Sequence, residues 1–200
     1  MSKSLGDFRL VLQLLKSYRG VLLRVVILRA QYRSALNFSV RSLEEAKEAM
    51  DKYYYALREA EKHIRLTKSP IAITTTKVFK ALVDDIDTPS ALGEMSKYRD
   101  RLNRALRNPK NIDTKEIQNA RSMLLAAGEL LGLLQENPTN WFQQKSDDGS
   151  LSNKQIDTLI NERNAAKQAR NFSRADEIRD QLKQAGIQLE DTREGTRWTR

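Results

Sequence analysis

The sequence predicts a mainly α protein, an antiparallel helical bundle followed by a small α+β domain that ends in a short β-hairpin. Three observations predict it. Apolar residues recur at spacings of three and four through most of the first 135 positions, helix-start signals precede several of those stretches, and the last fifty residues finish in two short strand-like runs.

The helices can be taken in order. Leu10, Leu14 and Leu15, then Leu22, Leu23, Val26 and Ile27, mark the first helical stripes. Ser42-Leu-Glu-Glu45 has the spacing of a capping box, in which a hydroxyl and a carboxylate each satisfy an amide the helix leaves unpaired. It predicts a long helix running to about His63, with Ala46, Ala49, Met50, Tyr53, Tyr54, Leu57 and Ala60 on its apolar side. Pro70 can begin another helix, and Thr88-Pro89 is a sharper start, because proline in the first turn sacrifices no hydrogen bond. A further helix is expected from about Asp113 through Ile117, Ala120, Leu124, Ala127 and Leu131. Four to five helices on short connections imply antiparallel neighbours. Core packing accounts for every one of these aliphatic stripes.

Residues 145–153 are polar and rich in turn formers, the composition of a linker. Beyond them Ser152-x-x-Gln155 predicts one helix, and Ser173 a second that stops at Gly186. Ile187–Glu190 and Thr196–Thr199 read as strands about the turn-forming Asp191-Thr-Arg-Glu-Gly195. The organisation expected is 1–41 connective helices, 42–144 bundle, 145–153 linker and 154–200 terminal domain. A unit of about fifty residues is marginal by itself.

Net charge is +9, and it is polarised: residues 1–41 hold eight Lys and Arg against the single acid Asp7, whereas 111–150 hold three bases and six acids. Such a balance favours an anionic partner, nucleic acid or a membrane surface. The most apolar run, Val21 to Ala30, is interrupted by Arg24 and Arg29 and is too short to span a bilayer. No secretory signal is visible. The absence of cysteine rules out disulfides and thiolate metal sites and is consistent with a cytoplasmic protein.

Three segments carry a family resemblance. Met1-Ser-Lys-Ser-Leu-Gly-Asp-Phe8 matches the end of a KMSKS signature without its leading lysine, Arg29-Ala-Gln-Tyr-Arg-Ser-Ala-Leu-Asn-Phe38 follows, and then Asp84-Asp-Ile-Asp-Thr-Pro-Ser-Ala-Leu92. The carboxy end is the most specific match: Ile156 to Arg163, Phe172-Ser-Arg-Ala-Asp-Glu-Ile-Arg-Asp180, Gly186-Ile-Gln-Leu-Glu-Asp-Thr192 and Gly195-Thr-Arg-Trp198. In order and spacing these resemble the carboxy-terminal portion of cysteinyl-tRNA synthetases, class I aminoacyl-tRNA synthetases, across essentially the whole chain.

The resemblance implies a DALR-type anticodon-binding bundle and a small terminal domain that reads the anticodon. It puts Lys3 where a mobile lysine meets the ATP triphosphate as charge develops on the leaving group. It puts Phe172 where an aromatic ring stacks on a base, Asp176 and Asp191 where carboxylates accept from base edges, and Lys167 where a basic residue reads a base. Residue by residue, simpler roles compete: a helix cap for Asp176, a hydrophobic staple for Phe172, a turn aspartate for Asp191, and core for Trp198. Arg24, Arg29 and Arg33 follow the KMSKS segment and could meet tRNA backbone phosphates, which supply affinity and not sequence choice. For Arg99, Arg101, Arg104 and Arg107, with Asp100 interleaved, a solvated helix face is the expectation.

The family also uses ATP with Mg, an amino-terminal nucleotide-binding domain with a HIGH-type sequence, and a zinc ion held by Cys, His and Glu. This chain has no HIGH-like sequence, no Cys and one His, His63, expected at a surface or core edge. No bound metal or cofactor and no catalysis by this chain alone are therefore expected. The partners implied are tRNA(Cys) and an amino-terminal catalytic half. Departures from the pattern are Asp7 for asparagine, Ala35 for proline, Arg19-Gly20 for an acidic-proline stretch, and, for arginine, Lys167, whose ammonium lacks the planar fork. They leave open a free-standing RNA-binding module or a non-catalytic paralogue, and beyond those a helical interaction scaffold.

Overall fold

The computed structural model describes residues 11–64, 71–107, 113–143, 151–192 and 195–199. Lys3 and the rest of the KMSKS-like segment, Pro70 and most of the 145–153 stretch lie outside them. Contacts divide the chain into two compact units, residues 1–138 and 139–200.

The first unit is helical. Among its described residues are α1 (Val11–Ser17), α2 (Gly20–Leu28), α3 (Val40–Glu61), a short 3-10 turn (Ile73–Thr75), α4 (Lys77–Val83), α5 (Thr88–Leu106) and α6 (Thr114–Leu131). α3, α5 and α6 pack on one another, with α2 against α3 and α4 against α5 and α6. The core is the predicted stripes: Leu43, Ala46, Met50, Tyr53, Tyr54 and Leu57 from α3, Ala91, Met95 and Leu102 from α5, and Ile117, Ala120, Leu124 and Ala127 from α6. A helix buries one stripe because its side chains return to the same face every three or four residues.

Two helix starts differ from expectation. The capping box of α3 lies one turn earlier than Ser42-x-x-Glu45: Ser39 is the cap, its hydroxyl accepting from the Ser42 amide at 3.1 Å while Ser42 accepts from the Ser39 amide at 3.1 Å. Val40 and Arg41 are already helical, so Glu45 is free to pair with Arg41 at 3.1 Å. α5 and α6 start as predicted, capped by Asp87 and Asp113, with Pro89 in the first turn of α5.

α6 ends on Gly132, at φ +63°, where the Leu133 amide donates back to the Gly128 carbonyl at 2.7 Å. That closure is the usual glycine-terminated helix end. Arg24 completes it from α2, its guanidinium donating to the Gly132 carbonyl at 3.0 Å.

A one-turn helix, α7 (Pro138–Gln143), crosses the division. The second unit then consists of α8 (Asn153–Gln168), α9 (Phe172–Gln184) and an antiparallel hairpin, β1 (Gln188–Thr192) with β2 (Gly195–Thr199). Its core is Ile156, Ile160, Ile178, Leu182, Ile187 and Trp198. Trp198 is core, as expected, and its indole N–H donates to Asp157 at 3.0 Å. The Ser152–Gln155 capping box forms as predicted. Ser173 does not open α9; Asn171 does, its side chain accepting from the Arg174 amide at 3.2 Å. Both strands begin or extend beyond the predicted bounds, and β1 takes in Asp191, so this residue is a strand residue and not a turn residue.

Candidate nucleic-acid interface

The second unit gathers the residues singled out for base reading. α8 ends by a backbone device usually reserved for glycine: Arg170 adopts φ +58°, and the Asn171 amide closes the helix on the Ala166 carbonyl at 2.8 Å. Holding a side-chain-bearing residue there costs about 1 kcal/mol, and it makes the α8–α9 turn short. Phe172 therefore enters α9 with its ring in solvent, 62% exposed. A ring held as a hydrophobic staple would be covered, so that simpler role does not describe Phe172.

Asp191, on β1, lies beside α8. Its carboxylate accepts both terminal nitrogens of Arg163 at 3.0 Å each, the Lys167 ammonium at 2.8 Å and the Thr196 hydroxyl at 2.8 Å. Thr196 stands directly opposite Asp191 in the hairpin register. Arg163, and after it Lys167, holds the Asp191 carboxyl well below the usual carboxylate range, with Thr196 adding to the shift against the opposing effect of desolvation. The same pairing pushes the Arg163 guanidinium up. Lys167 and Asp191 are thus joined to one another in this structure.

Asp176 sits on α9 one turn beyond Phe172, exposed and paired with Arg179 at 3.3 Å, and its charge adds to the field at Arg163. It plays no part in capping, which belongs to Asn171.

Arg163 is the residue that sequence reasoning missed. It is buried, at 5% exposure, and it is charged. A buried arginine needs an acid partner. The signal available was its position on α8, seven and three residues from the buried Ile156 and Ile160, which puts it on the apolar side of the helix.

In the first unit the cationic residues divide into paired and open groups. Arg24 caps Gly132, and Arg29 donates to the Glu45 carbonyl at 3.1 Å. Arg33 donates to Asp85 at 3.1 Å and to the Tyr32 hydroxyl at 2.7 Å, while Tyr32 donates to Asp85 at 2.9 Å. This triad joins the Arg29–Phe38 and Asp84–Leu92 segments of the resemblance, at a loop where Asp85 and Ile86 both adopt positive φ, +55° and +52°. On α5, Arg99 pairs with Asp100 and Arg101 grips Glu116 through two hydrogen bonds, at 2.7 and 3.0 Å. Arg104 and Arg107 instead line a concavity of about 400 Å³ with Lys97, Asp100 and Asn103. His63 is exposed.

Among the described residues no three His, Cys, Asp or Glu side chains come together to hold a metal ion. The sequence has no cysteine to supply a thiolate, so the residues present do not fit the zinc site that the resemblance implies for a whole synthetase. No described helix is long and apolar enough to cross a membrane.

Comparison with known proteins gives two family matches, both in the first unit, and relatives along the whole chain. Residues 1–48 match the family model for the class I (C) tRNA synthetase catalytic domain, and residues 77–135 match the DALR domain model. The chain is 41% identical to a cysteine–tRNA ligase of Saccharophagus degradans along its full length, covering 42% of that protein. It is 40% identical to that of Xanthomonas euvesicatoria, covering 43% of it, and 40% identical over 99% of the chain to that of Rhodospirillum rubrum, covering 41%. Along its whole length the chain is similar to the carboxy-terminal portion of these cysteine–tRNA ligases. It spans about 42% of the length of the curated relatives it matches.

Proposed function

We propose that the chain acts as the tRNA-gripping part of a cysteine–tRNA ligase, which attaches cysteine to tRNA(Cys) with ATP during translation in the cytoplasm. The observation that carries this reading is in the second unit: an exposed Phe172 ring one turn before the exposed Asp176 on α9, in the same unit as the Lys167–Asp191 pair. An unpaired RNA loop is recognised by stacking on aromatic rings and by hydrogen bonds to base edges. Phe172 supplies the stacking face, Asp176 and Asp191 accept from base amino groups, and Lys167 contacts an acceptor on the RNA. Arg24, Arg29 and Arg33, with the α5 concavity, add attraction to the phosphate backbone.

ATP with Mg, and zinc, belong in this reading to a nucleotide-binding part, with Lys3 contributing to ATP binding only when that part positions it. Exposed Val11, Leu12, Leu15 and Ile27, within the stretch that matches a catalytic domain, support a surface on which that part docks. By itself the chain binds tRNA and forms no adenylate.

The test is filter binding of the 200-residue chain to tRNA(Cys) and to the same tRNA with another anticodon, at low and moderate salt. A salt-sensitive affinity that falls when the anticodon is replaced is expected; equal binding of both RNAs overturns the reading. Adding an amino-terminal nucleotide-binding part and assaying cysteine attachment separates a ligase component, which restores activity, from a free-standing RNA-binding module, which does not.

A further inference from the structure

Asp191 is a saturated acceptor. A carboxylate offers four lone-pair positions, two on each oxygen. Oδ1 accepts from Arg163 Nη1 at 3.0 Å and from the Thr196 hydroxyl at 2.8 Å; Oδ2 accepts from Arg163 Nη2 at 3.0 Å and from Lys167 Nζ at 2.8 Å. Every position is taken by a donor from the protein. A base amino group has nowhere to land until one of them leaves.

The donors differ in what leaving costs. The Arg163 side chain is 6% exposed, so its guanidinium, taken off Asp191, would remain a buried charge without a partner. Thr196 is held beside Asp191 by the pairing of β1 with β2. Lys167 is 41% exposed, on a flexible stem, and water can solvate its ammonium once it is released. Of the two cations it is the cheaper to displace, and it is the one that shares Oδ2 with Arg163.

We propose that anticodon capture works by donor exchange at Asp191 Oδ2: the Lys167 ammonium moves from the carboxylate to an acceptor on the RNA, and the exocyclic amino group of a base takes its place, while Arg163 holds the carboxylate still. This rests on the anticodon-reading function proposed above. It assigns separate roles to three residues that the structure ties together. Asp191 reads an amino-bearing base, Lys167 is the ligand exchanged, and Arg163 is a positioning residue. A neutral amine can replace the lysine because Arg163 remains as counter-ion, and its pairing keeps the carboxylate ionised. The exchange also couples base reading to affinity, since the cation is freed for the RNA only where an amino group arrives to replace it.

The full chain is titrated by fluorescence anisotropy with an anticodon stem-loop of tRNA(Cys), and with loops in which each anticodon base in turn is replaced by its analogue without the amino group. The analogues are inosine for guanosine, purine riboside for adenosine and pyrimidin-2-one riboside for cytidine. For the unaltered protein at least one analogue is expected to bind about tenfold more weakly. In Lys167→Met all affinities fall several-fold while that ratio is kept or widened, because Oδ2 is already vacant. A drop of about one in the salt slope for this variant identifies the RNA acceptor as a phosphate; an unchanged slope identifies a base acceptor. In Arg163→Met the ratio collapses toward one. If Lys167→Met loses the ratio as Arg163→Met does, lysine is part of the fixed clamp and the exchange is wrong, although anticodon reading stands. If no analogue binds more weakly, Asp191 does not read an amino group and the exchange is wrong. Should replacing the whole anticodon also leave binding unchanged, the underlying function fails with it. Should Arg163→Met not fold, the direction of the Lys167→Met ratio decides by itself, since lysine is exposed.

Discussion

Replacing Asp191 by alanine isolates how much the α8–β1 clamp contributes to the second unit. The substitution removes the carboxylate shared by Arg163, Lys167 and Thr196 and leaves a buried guanidinium without its two hydrogen bonds at 3.0 Å. Hydrogen bonds to charged groups contribute about 1.5–3 kcal/mol. The Lys167 contact joins two side chains 41% and 50% exposed, so solvent screening holds it to a few tenths of a kcal/mol. A total of about 2–3 kcal/mol corresponds, for a unit of this size, to a fall in Tm of roughly 10–20 °C. Both tryptophans, Trp141 and Trp198, lie within residues 139–200, so the melting of this unit can be followed by tryptophan fluorescence of the full chain. The pH dependence follows from the lowered pKa. A depressed carboxyl stabilises above its unfolded value, near 4, and that contribution disappears as pH falls through the folded value. The difference in Tm between the two proteins should therefore be full at neutral pH and shrink progressively below about pH 4. An Asp191→Ala protein that melts within about 2 °C of the parent at pH 7 would refute the assignment of Asp191 as a stabilising hub.

Ile178→Ala, at a fully buried position in the second core, should cost about 2–5 kcal/mol and unfold this unit in preference to the first, seen as an early transition in the same fluorescence melt. Gly132→Ala should destabilise the first unit by about 2 kcal/mol, because φ is +63° and the added methyl would push the Arg24 guanidinium off the Gly132 carbonyl; a urea titration followed by circular dichroism gives the shift, and an unchanged midpoint would contradict it. Phe172→Ala should leave Tm unaltered, since the ring is solvent-exposed, yet weaken binding of an anticodon stem-loop by roughly 1–3 kcal/mol, measured by anisotropy at fixed salt.

The stripes of α3, α5 and α6 were legible because helical periodicity is a local property: the residue that shares a face lies three or four positions away. The α5, α6 and α8 starts were legible for the same reason, each cap and its amide being neighbours in the chain. The displaced cap of α3 shows the limit of that logic. Ser39 and Ser42 both have cap chemistry, and Ser42 carried the stronger local pattern in Glu45, but Glu45 is drawn instead to Arg29 and Arg41.

Sequence alone determined the class of fold, the core stripes, the polarised charge and the family resemblance, all of which rest on residue order and short-range spacing. Tertiary structure decided the pairing of Lys167 with Asp191 across 24 residues, the burial of Arg163 beneath them, and the joining of Tyr32 and Arg33 to Asp85 across more than fifty. No local pattern encodes such contacts, because a carboxylate can satisfy any cation the fold brings within about 3 Å. Which one it receives depends on how α8 packs against the hairpin, and in the first unit on where the chain places the loop before α5.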